Sequence, residues 1–266
     1  MKTLELLIEN FFTHKDFLPP ADKLAGTLFT PLHLIFSGLL LAAVIVLAIL
    51  LSKKDEKIIR RVFTAIWAAA VVLEIVKITW ETVSGKTVNF EWGGILPLYP
   101  CSIFMYAMPF AIWGKNKVRY AACGYVCTLG FLGAAINFVY PANIMQNYSC
   151  ISFAGFHTLF FHGSMMFCCL VMLLSGYHSF KNAKKWSDLL IPAIPCFIVS
   201  IAAHIVNFSP IGSDYMFFKL NSFFLAPIGA ALPDVATVFI TYAAYIIIHA
   251  LPYFPFFIRN KRKQTA

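Results

Sequence analysis

Seven long apolar stretches are the feature that most constrains this sequence. Each has about 18 to 24 residues, enough for a helix to cross a hydrocarbon core about 30 Å thick. The chain of 266 residues is 60% hydrophobic and 12% charged, and a water-soluble domain could not bury so much apolar surface. The intervals between the stretches are too short for a soluble domain. We therefore predict an all-α polytopic membrane protein, a single bundle of about seven transmembrane helices near residues 30–51, 62–83, 95–113, 118–140, 152–175, 188–207 and 235–257.

Lysine and arginine collect in alternate loops, and this pattern predicts the orientation. Short loops rich in these residues stay on the cytoplasmic side of a membrane, whereas the loop over residues 141–151 has no charge. We expect the N-terminus outside and the C-terminus in the cytoplasm. The formal charge of +9 is then mainly a topology signal, and we expect no nucleic-acid partner. The basic positions are Lys53, Lys54, Lys57, Arg60, Arg61, Lys115, Lys117, Arg119, Lys181, Lys184, Lys185, Arg259, Lys261, Arg262 and Lys263.

The two ends of the chain differ from its centre. Residues 1–28 have apolar positions at helical spacing and form a predicted N-terminal amphipathic segment, residues 29–258 form the predicted seven-helix bundle, and residues 259–266 form a basic cytoplasmic tail. Two interpretations of the first segment stay open. It lies along the outer surface of the bilayer, or it covers the outer mouth of the bundle. The apolar positions are Leu4, Leu7, Ile8, Phe11 and Phe12.

Cys101 lies early in the third stretch, in the run Leu96-Pro97-Leu98-Tyr99-Pro100-Cys101-Ser102, while His157, His162 and His204 lie in later stretches. A cysteine with histidines at similar membrane depth can perform nucleophilic chemistry. The seven cysteines show no metal or disulfide framework, and we expect no cofactor. His157 and His162 are five residues apart, so they do not share a helix face as two metal ligands would. We expect His157 to be a structural histidine bonded to a backbone carbonyl.

Polar side chains converge on the predicted outer half of the membrane, where each requires an explanation. Three of them, on the second helix, have the three- and four-residue spacing that places them on one face. This distribution is typical of a water-accessible cavity or an active site near the outer leaflet. The charged face could equally be an ion pair that holds helices together and has no catalytic role. The predicted supporting or pocket-lining residues are Glu74, Lys77, Asn137, His157, His204 and Asp234, and Glu81 completes the charged face.

Three segments together resemble the recurring signatures of the YwaF-type integral membrane proteins, bacterial relatives of a eukaryotic multi-pass family of phospholipid acyltransferases. They are residues 96–102, 160–166 and 214–219, and the similarity covers about residues 30 to 255. One stretch departs from the family, because residues 225–234 stand where a Gly-Pro-Trp-Pro-Trp-Tyr sequence is common. The resemblance implies a bacterial plasma-membrane protein.

The resemblance also implies the catalytic roles of two residues, with Cys101 as the nucleophile and His162 as its base. The thiolate would attack a phospholipid ester and hold the acyl chain as a thioester, and a lysophospholipid or water would be the acceptor. Glu74, Asn137 and His204 remain alternatives for a third group that orients the imidazole. The leading hypothesis is therefore a lipid acyltransferase or hydrolase that takes part in phospholipid remodelling. The alternative is a carrier or sensor with a polar intramembrane cavity and no covalent chemistry, and a structural role is the third interpretation.

Overall fold

The computed structural model describes residues 8–85, 96–210, 213–218 and 234–265. Within these ranges the regular structure is helical, which confirms the all-α prediction. Leu4, Leu7, Lys219 and residues 225–233 of the departing stretch lie outside the described residues. In chain order the helices are α1 (Pro31–Ser52), α2 (Glu56–Ser84), α3 (Ile103–Trp113), α4 (Asn116–Tyr125), α5 (Phe131–Val139), α6 (Ala142–Met145), α7 (Phe153–Leu174), α8 (Trp186–Leu190), α9 (Ile194–Asn207), α10 (Asp234–Ala250) and α11 (Phe254–Thr265).

Five helices among the described residues are long and apolar enough to cross a membrane, and a bent pair raises the number to six. The third predicted stretch is instead a shorter apolar helix over Pro100–Trp113, which at about 1.5 Å per residue measures about 21 Å. The last predicted stretch is broken, because α10 and α11 meet at an angle of 60°. Pro252 and Pro255 flank this break, and proline removes a helix hydrogen bond and disfavours continuation. The five spans are Pro31–Ser52, Glu56–Ser84, Asn116–Met145, Phe153–Leu174 and Trp186–Asn207.

Capping residues explain where the first two helices begin. Thr30 is the N-cap of α1, where its side chain accepts a hydrogen bond from the His33 N–H, and Pro31 follows at a position that suits proline. Helix α2 begins at Glu56, six residues before the predicted start, because charged residues extend it beyond the apolar run. Arg60 and Glu56 stabilise this first turn with a contact of 2.9 Å.

The helices belong to two compact units. Unit one contains residues 1–91 and 132–171, and unit two contains residues 92–131 and 172–266. The span over residues 116–145 therefore contributes to both units. Within it, residues Val126–Gly130 form a π-helical turn between α4 and α5, an irregularity that is frequent at functional sites.

Unit one has its N-terminal segment packed onto α2 and α7. Trp80 donates a hydrogen bond of 2.8 Å from its indole N–H to the Phe12 carbonyl, and the Phe153 N–H donates one of 2.8 Å to the Phe11 carbonyl. Phe11 also packs against a buried cluster that includes Trp80, Tyr148 and Phe153. Around Phe11 the predicted amphipathic segment therefore packs against a buried cluster of unit one.

Unit two is held at one end by a loop that is tied to helix α9. Asn207 donates from Nδ2 to the Tyr215 carbonyl at 2.9 Å, and its Oδ1 accepts from the Tyr215 N–H at 2.8 Å. The Tyr215 hydroxyl in turn accepts a bond of 2.9 Å from the Leu96 N–H. These contacts fix the chain just before Cys101.

Candidate functional site

Unit one contains a partly buried charged cluster on α2. Lys77 Nζ lies 3.5 Å from Glu74 Oε1 and 4.0 Å from Glu81 Oε2, which confirms that the three residues share one face. The Glu74 side chain is 9% exposed, whereas the Glu81 side chain is 27% exposed. Glu74 is therefore the carboxylate that most depends on a partner.

His157 of α7 is the second partner of Glu74. Its Nε2 lies 3.0 Å from Glu74 Oε2, and both side chains are buried. The two atoms are close, but their geometry is not that of an aligned hydrogen bond. His157 also stacks on Phe161, with ring centroids 5.9 Å apart. The structure thus brings Glu74, Lys77 and His157 together.

His162 has a fixed ring orientation. Its Nδ1 lies 2.8 Å from the Thr158 carbonyl oxygen, one helical turn earlier. Because a carbonyl can only accept, the neutral ring carries its proton on Nδ1 and leaves the Nε2 lone pair available to take a proton. The carbonyl bond that the sequence analysis assigned to His157 is thus found at His162, which is half-buried.

The Thr158 carbonyl, on the same helix, therefore orients the His162 ring, and the three side chains named for this role stay predictions. Glu74 contacts His157. Asn137 donates from Nδ2 to the Gly133 carbonyl at 3.0 Å.

Cys101 lies in a 3-10 turn over Pro100–Ser102 that leads directly into α3. The Tyr125 hydroxyl, at the end of α4 beside the π-helical turn, donates a hydrogen bond to the Pro100 carbonyl and fixes this turn. All seven cysteines lie in the described residues, and six are buried whereas Cys101 is partly accessible. Cys101 belongs to unit two and His162 to unit one, and their pairing stays a prediction.

Aromatic side chains border the Cys101 turn. The rings of Tyr99 and Tyr215 meet edge to face with centroids 4.9 Å apart. Burial raises the pKa of Tyr215 to about 12. Burial and the charge of Asp214 raise the pKa of Tyr99 as well. Both phenols are therefore neutral at physiological pH, so this border of the turn carries no phenolate charge.

Unit two also contains a thiol and an imidazole that the sequence analysis missed. Cys196 Sγ lies 3.7 Å from His249 Nε2, and both residues are buried. His249 Nδ1 donates to the Tyr245 carbonyl at 2.7 Å, so Nε2 is the acceptor, as in His162. A histidine inside an apolar run is itself a signal of function or pairing. His249 lies in the seventh predicted stretch, so this signal could have identified it.

Two tyrosines connect the two cysteine environments of unit two. Tyr125 bonds the Pro100 carbonyl beside Cys101, and its ring lies 6.1 Å from that of His249, the partner of Cys196. The Tyr245 hydroxyl also donates to the Met216 carbonyl at 2.7 Å. Both tyrosines therefore lie beside His249, and Tyr125 lies beside the Cys101 turn as well.

Two predicted residues of unit two remain, His204 and Asp234. His204 Nε2 lies 2.9 Å from the Tyr242 hydroxyl, and its ring stacks on Phe218 with centroids 4.2 Å apart. Asp234 begins α10, but its side chain lies outside the described residues. Within the part of the chain that the structure describes, no group of three or more His, Cys, Asp or Glu side chains is arranged to hold a metal ion.

Comparison with known proteins supports the membrane assignment and gives the family. No curated protein and no solved structure matches the chain. The model of the TMEM164 family, a multi-pass membrane family, matches residues 28–259, which is most of the chain and includes both units. This protein is a multi-pass membrane protein that belongs to the TMEM164 family.

Proposed function

We propose that this protein transfers acyl chains of membrane phospholipids through a thioester on Cys101, with His162 as the general base. The observation that carries the proposal is that Cys101 is partly exposed as a residue, whereas the other six cysteines are buried. A nucleophile must be reached by its substrate, so burial argues against the other thiols. The YwaF-type resemblance supports the same choice of residue.

The state of His162 suits the role of a base. The Thr158 carbonyl holds the Nδ1 proton, so Nε2 is the nitrogen that accepts a proton. The ring is half-buried, which combines a fixed orientation with access.

The proposed reaction has two steps that balance. In the first, the Cys101 thiol gives its proton to His162 Nε2, and the sulfur attacks the ester carbonyl of a phospholipid. The C–O bond breaks, the departing alkoxide takes the proton from His162, and a lysophospholipid leaves. In the second, the hydroxyl of a lysophospholipid or of water gives its proton to His162 Nε2 and attacks the thioester carbonyl. The C–S bond breaks, the departing sulfur takes the proton back from His162, and a new lipid or a fatty acid leaves the restored thiol.

The test is transfer of a labelled acyl chain between phospholipids in vesicles that contain the full-length protein. We expect Cys101→Ala and His162→Gln to abolish transfer, while Cys127→Ala leaves it intact because Cys127 is buried in the π-helical turn. Loss of transfer in His249→Gln but not in His162→Gln would assign the base to unit two instead. Equal transfer by the wild type and Cys101→Ala would refute covalent catalysis at this residue.

A second candidate, a carrier or sensor, is favoured by one observation. The cluster of Glu74, Lys77 and His157 brings a carboxylate, an ammonium group and an imidazole together between membrane helices, as in polar pathways through membrane proteins. This candidate predicts proton movement into vesicles, followed with an enclosed pH-sensitive dye, that Glu74→Gln abolishes and Cys101→Ala leaves unchanged. Proton movement that is the same with and without the protein would eliminate it.

A further inference from the structure

Unit one contains an apolar groove that none of the proposed catalytic residues lines. The groove has a volume of about 570 Å³ and lies between α1, α2 and α7. Along α1 it extends from Leu40 to Leu51, which is about 17 Å at about 1.5 Å per residue. Half of a bilayer hydrocarbon core is about 15 Å thick, so the groove has the depth of one leaflet.

The groove wall is suited to a hydrocarbon chain. Small residues line part of it, namely Ala43 on α1 and Gly163 and Ser164 on α7. Leu47 and Leu50, each 54% exposed, leave one side open towards lipid. An acyl chain can therefore enter sideways from the bilayer.

One end of the groove is cationic. Lys54, in the turn between α1 and α2, lines the groove there. Residues 53–61 contain five basic and two acidic side chains, a net charge of +3. Arg60 is paired with Glu56, whereas Lys54 stands at the opening itself. Basic pockets between membrane helices on the cytoplasmic side bind anionic lipid headgroups.

We propose that this groove is a binding site for an anionic phospholipid of the leaflet next to the α1–α2 turn. One acyl chain lies along α1 between Leu40 and Leu51, and the phosphate lies at Lys54. The charge at the opening selects an anionic lipid over a zwitterionic lipid with the same chains. The site does not rest on the proposed chemistry, since neither Cys101 nor His162 lines the groove.

The chain offers matched controls for each part of the site. Ala42 and Ala43 are adjacent and both exposed, but only Ala43 lines the groove. Lys53 and Lys54 are likewise adjacent and exposed, and only Lys54 lines it. Ala43→Phe blocks the groove, and Ala42→Phe adds the same ring outside it. Lys54→Gln removes the charge at the opening, and Lys53→Gln removes an equal charge beside it.

The experiment measures lipid binding to the purified full-length protein by native mass spectrometry, with phosphatidylglycerol and phosphatidylcholine that carry identical acyl chains. A basic residue near the membrane surface contributes about 1 kcal/mol to the binding of anionic lipid, which is about fivefold in affinity. We expect Lys54→Gln to weaken phosphatidylglycerol binding about fivefold without changing phosphatidylcholine binding. Ala43→Phe is expected to weaken both, while Ala42→Phe and Lys53→Gln match the wild type.

Three results would overturn the proposal. The first is equal binding of the two lipids by the wild type. The second is an equal effect of Lys54→Gln and Lys53→Gln, which would indicate diffuse attraction rather than a site. The third is undiminished binding by Ala43→Phe. If that variant does not fold, the lysine pair decides the question alone.

Discussion

Replacement of Glu74 by glutamine is the perturbation whose consequence follows most directly from the contacts in unit one. The carboxylate faces Lys77 at 3.5 Å and His157 at 3.0 Å, and its side chain is only 9% exposed. The substitution preserves the size of the side chain and removes its negative charge. Lys77, whose side chain is 21% exposed, would then keep its longer contact with Glu81.

The expected magnitude comes from the burial of the group that loses its partner. Removal of one member of a buried ion pair costs about 3 to 5 kcal/mol. Because Lys77 is partly exposed and Glu81 lies within 4.0 Å, we expect the lower end, about 3 kcal/mol. For a chain of this size that lowers the midpoint of thermal unfolding by about 6 to 12 °C. Glu81→Gln is the matched control, with an expected cost below about 1 kcal/mol because its contact is longer and more exposed.

The assay is thermal unfolding of both variants in the same detergent, followed by tryptophan fluorescence. Two of the five tryptophans, Trp67 and Trp80, lie on α2 itself, so part of the signal reports on the helix that carries the substitution. Similar midpoints for Glu74→Gln and Glu81→Gln would refute the view that Glu74 is the central member of the cluster.

Two further predictions concern packing and pH. In α7, Gly155→Ala is expected to destabilise the protein by about 1 to 3 kcal/mol, because the added Cβ would overlap the Ser149 carbonyl and lie 2.9 Å from Cys150 Cα. The control is Gly163→Ala, whose Cβ meets only ordinary contacts from 3.7 Å outward. Equal unfolding midpoints for the two variants would contradict this packing. Burial, and secondarily the charge of Arg119, lower the pKa of His178 from 6.5 to about 4, so the unfolded chain takes up the proton first as the pH falls. The stability that neutral His178 contributes is therefore complete above pH 6.5 and decreases towards pH 4, by about 3 kcal/mol at most. His178→Gln should remove that part of the pH dependence in unfolding measured between pH 7 and 4.

How well the sequence predicts each helix depends on which residues signal its two ends. Long apolar runs predicted α1 and α7 to within about a residue or two, because both lie wholly in the apolar region and end at polar turns. The start of α2 was missed by six residues, because Arg60 and Glu56 stabilise a helical turn that an apolar pattern does not include. The break after α10 could have been predicted from Pro252, which was absorbed into an apolar run.

The charged part of the candidate site was easier to predict than the part that bears the cysteines. Spacing alone placed Glu74, Lys77 and Glu81 on one face, because helix geometry determines local neighbours. The contact between Cys196 and His249 joins residues 53 positions apart, and such a contact depends on tertiary packing, which periodicity does not encode. The role of the Thr158 carbonyl was also invisible, because every helical residue has a carbonyl and only the side-chain rotamer of His162 selects this one.

The most direct test of the account is a search for an acyl group on Cys101 itself. The full-length protein would be reconstituted with labelled phospholipid, digested and examined by mass spectrometry for acyl groups that hydroxylamine releases. The account predicts a thioester on the peptide that contains Cys101, none on the peptide that contains the buried Cys196, and loss of the modification in His162→Gln. An unmodified Cys101 under conditions in which the wild-type protein transfers acyl chains would contradict it.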